Sequence, residues 1–207
     1  MSQVDVVYND LKSKIEDGWL GDLTEISLSD EFQTSRNTIK KALLMLESEG
    51  LIVMEKNRGA RVRTYDLNEI DELLEIRENL EGLLMHKLKL SDKDKTDLQA
   101  IVKKMKELVN KGDIVEYSKQ NHLFHEILYQ ASTNHTLVQM INEIKKHTRK
   151  FSSKTDLVPG RAEQSLLEHE AIMNAVIEDN STLAEKQIKK HLSNVREKFK
   201  RNYQLLK

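Results

Sequence analysis

The chain has 207 residues and no cysteine, which excludes disulfides, thiolate zinc sites and cysteine nucleophiles. Any metal would need His, Asp, Glu or Asn as ligands. Proline occurs once, glycine seven times, and aromatic residues make up only 5% of the chain. Such a shortage of breakers and large rings points to mostly helical structure. No apolar run reaches the roughly 18 residues that a membrane-crossing helix needs, so no membrane partner is expected. The first residues lack the basic start and apolar stretch of a secretory signal, and the expected location is therefore the cytoplasm. Also missing are an HExxH pair, a nucleophile elbow and a phosphate loop, which argues against an enzyme.

What is present is unevenly distributed. The net charge is −1, yet residues 1–35 carry two Lys against eight Asp or Glu, a balance of −6. Residues 36–63 carry seven Lys or Arg against three Glu, a balance of +4. A polyanion is bound by a local basic face rather than by the average charge, so this contrast permits DNA without demanding it.

Val7, Tyr8, Leu11 and Ile15 recur at helical spacing, with Gly18 as a stop. A turn at Gly21-Asp22 follows, and Ser27 is a candidate cap for a short helix with Leu28 and Phe32 inward. Residues 33–35 then turn into a second helix, Arg36 to Gly50, capped by Ser35. Its core stripe is Ile39, Ala42, Leu43 and Leu46. Leu51–Glu55 and Ala60–Arg63 flank Lys56-Asn57-Arg58-Gly59 and predict a β-hairpin. The order is that of a winged helix-turn-helix in residues 1–66, with the junction at Tyr65-Asp66.

Residues 67–207 predict an antiparallel all-α bundle of about six helices, near 68–89, 92–111, 113–132, 135–153, 161–179 and 181–205. Ser91, Asp113 and Ser181 are candidate N-caps, Gly112 is a separator, and Lys154–Gly160 with the only Pro is the clearest loop. The fold class is thus mainly α, in two domains.

A helix-turn-helix reads bases with the N-terminal end of its second helix, while that helix end meets a phosphate. Ser35, Arg36, Asn37, Thr38 and Lys40 form such a tip: Arg forks onto guanine, Asn pairs with adenine, and Ser, Thr and Lys suit phosphates. Arg58 and Gly59 at the hairpin tip would serve the backbone or minor groove. A merely solvated helix face with an exposed turn is the alternative. The ordered set Tyr8-x2-Leu11-x3-Ile15, Leu28-Ser29-x2-Phe32, Thr34 to Leu43, Leu46-x2-Glu49-Gly50-Leu51-Ile52 and Arg58-Gly59-Ala60-x-Val62 resembles the DNA-binding domain of the GntR family. The family usually has Thr-Pro at Asn37-Thr38 and Arg-Glu at Lys40-Lys41, departures that bear on the operator sequence and not the fold. The resemblance makes Arg36 and Lys40 the best candidates for direct DNA contact, with Ser35, Thr38 and Gly59 in support.

All seven histidines lie in residues 67–207. His125 follows Asn121 by one helical turn, His169 sits among Ile172, Met173 and Val176, and His191 shares a stripe with Ala184, Ile188 and Val195. Three inward imidazoles plus a side-chain oxygen suit zinc, nickel or another divalent first-row metal. Three separate core histidines, each bonded to a carbonyl or carboxylate, fit the spacing as well. Arg77 and Glu81 fall in an apolar arc, where Arg must be paired or bind an anion. An internal pair with Glu81 and a clamp for an effector carboxylate both satisfy that.

Asn121-x2-Phe124-His125, Asn134, Glu168-His169-x2-Ile172, Ala184-x6-His191-Leu192 and Ile76-Arg77-x2-Leu80-Glu81 resemble the FadR-type (FCD) ligand-binding domain. The helix count is similar to that of its six-helix metal-binding branch. The resemblance implies a metal held by Asn121, His125, His169 and His191, with a small carboxylate completing the coordination. Asn121 stands where the family usually has Asp, and its amide oxygen is a neutral, weaker ligand. The expectation is a homodimeric, ligand-responsive repressor that binds an operator in double-stranded DNA and takes a small carboxylate effector. A metal-free sensor and a His-site metalloenzyme are the alternatives.

Overall fold

The computed structural model describes residues 2–16, 19, 21, 23–56 and 58–206, with side-chain surroundings for all of these except 149–154 and 204–206. The chain divides into two compact units, one ending at Asp66 and one beginning at Leu67.

The first unit runs α1 (Gln3–Glu16), α2 (Glu25–Glu31), α3 (Arg36–Ser48), β1 (Ile52–Glu55) and β2 (Gly59–Val62). The stripe of α1 buries Val7, Leu11 and Ile15 against Leu28 of α2 and the whole predicted back of α3, Ile39, Ala42, Leu43 and Leu46. The expected stop at Gly18 and Asp22 of the expected turn lie outside the described residues. Ser27 is not the cap of α2. Thr24 has the extended backbone of an N-cap, and its hydroxyl accepts from the Ser27 amide, so the helix begins about three residues earlier. Ser35 does cap α3, accepting from the Thr38 amide at 3.2 Å. The hairpin is antiparallel in the register Ile52–Val62 to Glu55–Gly59. At Gly59 φ is +85°, and a Cβ would sit 3.0 Å from the Leu23 carbonyl oxygen and the Thr24 Cα. Only glycine lets the strand lie this close to the 23–24 backbone.

The second unit holds α4 (Leu67–Met85), α5 (Asp92–Lys111), α6 (Ile114–Gln130), α7 (His135–Asp156), α8 (Arg161–Ile177) and α9 (Ser181–Leu206). Helix α4 lies along α9, fastened by Arg196, whose Nη2 donates to Asp71 at 2.9 Å and to Glu75 at 2.8 Å. A capping box joins Ser91 and Asp94 at the start of α5, and Gly112 ends that helix in the left-handed conformation. Asp113 caps α6. The expected cap Ser181 is instead the first residue of α9; Asn180 Oδ1 accepts from the Leu183 amide at 3.0 Å and takes the capping role. Helix α4 stops at Met85 rather than 89, because residues 87–89 pair with 131–133. The Lys89 amide donates to the Ala131 carbonyl and the Thr133 amide to the Lys87 carbonyl, both at 2.8 Å. Helix α7 outlasts its expected end at 153 and reaches Asp156, leaving a shorter loop before α8.

Candidate functional site

In the first unit, the cap at Ser35 turns the chain so that Arg36, Asn37, Lys40 and Lys41 are exposed while Ile39 and Ala42 are fully buried. Thr38 is half-buried, held by its hydroxyl against Ser35 Oγ at 2.9 Å. Among the described residues no carboxylate lies within ion-pair distance of Arg36, Lys40 or Lys41, so their charge is not spent internally. Helix α3 therefore has an aliphatic back and an uncompensated cationic tip. Arg58 is exposed at the hairpin tip beside Gly59, while Asn57 lies outside the described residues. Gly59 has a demonstrable packing role of its own, the close approach to residues 23–24.

In the second unit, α6, α8 and α9 bring His125, His169 and His191 together. One nitrogen from each lies within 4.8 Å of the others, and all three residues are buried. Ring centroids are 5.4 Å apart for His125–His169, 5.4 Å for His125–His191 and 4.5 Å for His169–His191. Each Nδ1 faces an oxygen. That of His191 lies 2.7 Å from Glu168 Oε2, and that of His169 lies 2.6 Å from the Ser165 carbonyl. His125 Nδ1 is 3.3 Å from Glu81 Oε2, close but short of hydrogen-bond geometry. Carboxylates and carbonyls on Nδ1 leave Nε2 as the free coordinating nitrogen, the usual outer support of metal-binding imidazoles. His169 Nε2 is buried with no hydrogen-bond partner.

Burial holds all three imidazoles below their ordinary pKa. For His191 desolvation outweighs the Glu168 carboxylate and leaves about 4. For His125 desolvation likewise exceeds the pull of Glu81. His169 falls well below the usual value, through desolvation and then the two neighbouring histidines. At neutral pH the cluster is uncharged, with lone pairs available. Tetrahedral zinc with bonds of about 2.0–2.1 Å spaces its ligands about 3.4 Å apart, so one ion is within reach of all three nitrogens after small side-chain movements. The residues fit a divalent metal.

Asn121 sits one turn before His125. Its Nδ2 donates to Asp156 Oδ2 at 3.2 Å, and Asp156 also accepts from Ser118 Oγ at 2.9 Å. This leaves Asn121 Oδ1 buried and unpartnered. Burial pushes the Asp156 carboxyl up from its usual pKa. Arg77 is buried, and its Nε donates to Glu81 Oε1 at 2.6 Å; the same oxygen accepts from the Tyr129 hydroxyl at 2.7 Å. Burial alone would raise the Glu81 pKa, but the Arg77 charge and its other partners bring it far below the carboxylate range. The internal pair with Glu81 is therefore formed through Arg77 Nε.

Sequence reasoning missed Arg161, Asp156 and the partnering role of Glu168. Arg161 is wholly buried at the first turn of α8, and its Nη2 donates to Glu168 Oε2 at 2.9 Å and lies 3.4 Å from His191 Nδ1. Glu168 Oε1 accepts from Asn194 Nδ2 at 2.7 Å. One signal was present: Arg161, Ser165 and His169 stand at i, i+4 and i+8, the same face of one helix.

The chain matches the bacterial regulatory proteins of the gntR family over residues 3–62 and the FCD domain over residues 72–194. It is 30% identical over 197 residues to the HTH-type transcriptional regulator LutR of Bacillus subtilis (strain 168), spanning 82% of this chain and 86% of that protein. It is 36% identical over 140 residues to the gluconate operon transcriptional repressor of Bacillus licheniformis, covering 66% of this chain and 56% of the relative. Among solved structures, Escherichia coli McbR/YncC superposes with a TM-score of 0.71 at 21% identity, covering 100% of this chain and 97% of that one. A transcriptional regulator of Rhodococcus sp. RHA1 gives 0.74 at 20% identity, covering 95% and 97%. The matched domains and relatives are transcription regulators, which removes the metalloenzyme alternative. The chain is thus a DNA-binding transcription regulator and belongs to the GntR family, with an FCD domain as its helical half.

Proposed function

We propose that this regulator is a homodimeric repressor whose helical unit binds a divalent metal, zinc or nickel, and through it a small carboxylate effector that weakens operator binding. The convergence of His125, His169 and His191, each with Nδ1 facing an oxygen, carries the reading. Asn121 Oδ1 is the fourth protein donor, and the bond from its Nδ2 to Asp156 fixes which end of the amide is free. A metal so held supplies Lewis acidity that attracts an oxygen ligand into a dry site. The chain's own residues keep the imidazoles neutral, oriented and shielded from water.

Two further observations support the rest. Relatives are named for the gluconate and galactonate operons, and both compounds are polyhydroxy carboxylates. Exposed Arg36, Asn37 and Lys40, together with Ser35 and Thr38 on the same helix end and Arg58 and Gly59 of the hairpin, are the candidate DNA-facing set. Two such heads on two-fold half-sites require a dimer. Ligand control then needs the effector to bind the DNA-competent and DNA-incompetent states unequally.

The test is elemental analysis of protein purified without chelator, combined with duplex binding. The duplex is selected in vitro from random DNA, and gluconate, galactonate and citrate are added in turn. Wild type is expected to carry one metal per chain and to lose duplex affinity on adding at least one acid. The double variant His125→Ala, His169→Ala should lack metal and ignore the acids. A wild type that takes up neither zinc nor nickel, or a double variant that keeps stoichiometric metal, refutes the site.

A further inference from the structure

The interior next to the histidines holds polar atoms that the metal reading does not use. Arg161 is 0% exposed, and of its nitrogens only Nη2 has a partner; Nε and Nη1 are buried and unpartnered. Tyr117 is also 0% exposed, with its hydroxyl buried and unpartnered. Native interiors rarely leave such groups unsatisfied, and a guanidinium least of all. Arg77 offers a contrast within the same unit, because its Nε is taken by Glu81 at 2.6 Å.

The two groups are placed alike. Tyr117 lies eight residues before His125 on α6, and Arg161 lies eight residues before His169 on α8, so each is two turns from a histidine on the same helix face. The length of Arg161 brings its head back towards the metal end. Its Nη2 stands 3.4 Å from His191 Nδ1, one imidazole width from the nitrogen that would face a metal.

We infer that Arg161 and Tyr117 form an anion subsite that takes a carboxylate of the effector and determines specificity beside the three histidines. The inference rests on the carboxylate reading above and adds to it the residues that recognise the acid. The occupant is a compact acid of a few carbons, with a carboxylate on Arg161 and a second oxygen group reaching the metal; hydroxycarboxylates and dicarboxylates meet that description. Arg161 suits the task because a guanidinium held on one nitrogen by Glu168 still presents fixed donors elsewhere, which a lysine ammonium would not.

The experiment titrates citrate and gluconate calorimetrically into the full chain, zinc-loaded and zinc-free, alongside Arg161→Lys and Tyr117→Phe. Arg161→Lys keeps a cation beside Glu168, and Tyr117→Phe removes one oxygen only. Wild type is expected to bind at least one acid. Arg161→Lys should weaken that binding by about tenfold or more, and Tyr117→Phe should weaken it less, with zinc content unchanged in both. Equal affinity in wild type and both variants overturns the subsite while leaving a metal site standing. A wild type that binds neither acid also overturns it. Zinc-free binding that still depends on Arg161 supports the subsite and removes the metal from its explanation.

Discussion

Acidifying the metal-free protein from pH 7 to pH 5 is expected to destabilise the helical unit through the buried histidines. His191 has an ordinary value of 6.5 and is held at about 4 in the folded state. Between those values the unfolded chain binds a proton that the folded chain refuses, so stability rises with pH across this window and is lost as pH falls through it. Linkage puts the loss from His191 alone at about 2 kcal/mol by pH 5, within a ceiling of about 3 kcal/mol below pH 4. His125 and His169 are shifted in the same direction and add to it. Glu168, brought below its usual value against the effect of burial by His191 and Arg161, contributes the same sign, but only near pH 4 and lower. Asp156, raised by burial, opposes it at the acidic end. For a unit of this size one kcal/mol moves Tm by roughly 3 °C, so the Tm should fall by at least about 6 °C. Melting followed by circular dichroism in EDTA at pH 7, 6 and 5 makes the measurement, with His191→Gln as the control of shallower slope. A flat Tm across this range, or an unchanged slope in the variant, refutes the reasoning.

Two predictions concern the DNA-binding unit. Arg36→Ala should cost about 1–3 kcal/mol of specific duplex affinity with far-ultraviolet dichroism unchanged; anisotropy titration with wild-type affinity would remove Arg36 from the contact set. Gly59→Ala should destabilise the unit by about 1–3 kcal/mol, because φ is +85° and the new Cβ meets backbone atoms of residues 23 and 24 that have no rotamer to change. Urea denaturation reads this directly, and a variant as stable as wild type would show that the hairpin is not held against that segment.

Local chemistry was legible wherever a pattern repeats at short range. The stripe Ile39, Ala42, Leu43 and Leu46 and the cap at Ser35 were readable, because a helix imposes its period on neighbours three and four apart. The capping errors at Ser27 and Ser181 have one cause. Thr24 and Asn180 offer the same short polar side chain nearby, and only the backbone path selects between them. The early end of α4 had no local signal either, since it comes from pairing with residues 131–133 across more than forty positions.

The sequence by itself determined the winged helix-turn-helix, the bundle of six helices, the cationic tip of α3 and the inward placement of His125, His169 and His191. Those follow from periodicity, capping and charge within single elements. Tertiary structure alone decided which polar groups met: Arg77 with Glu81, Asn121 with Asp156, His191 with Glu168, and Arg161 with two donors left over. A helical period states which side of its own helix a residue occupies, but not what stands opposite. Whether a buried charge is neutralised or left to receive a ligand is settled only by the helix packed across from it.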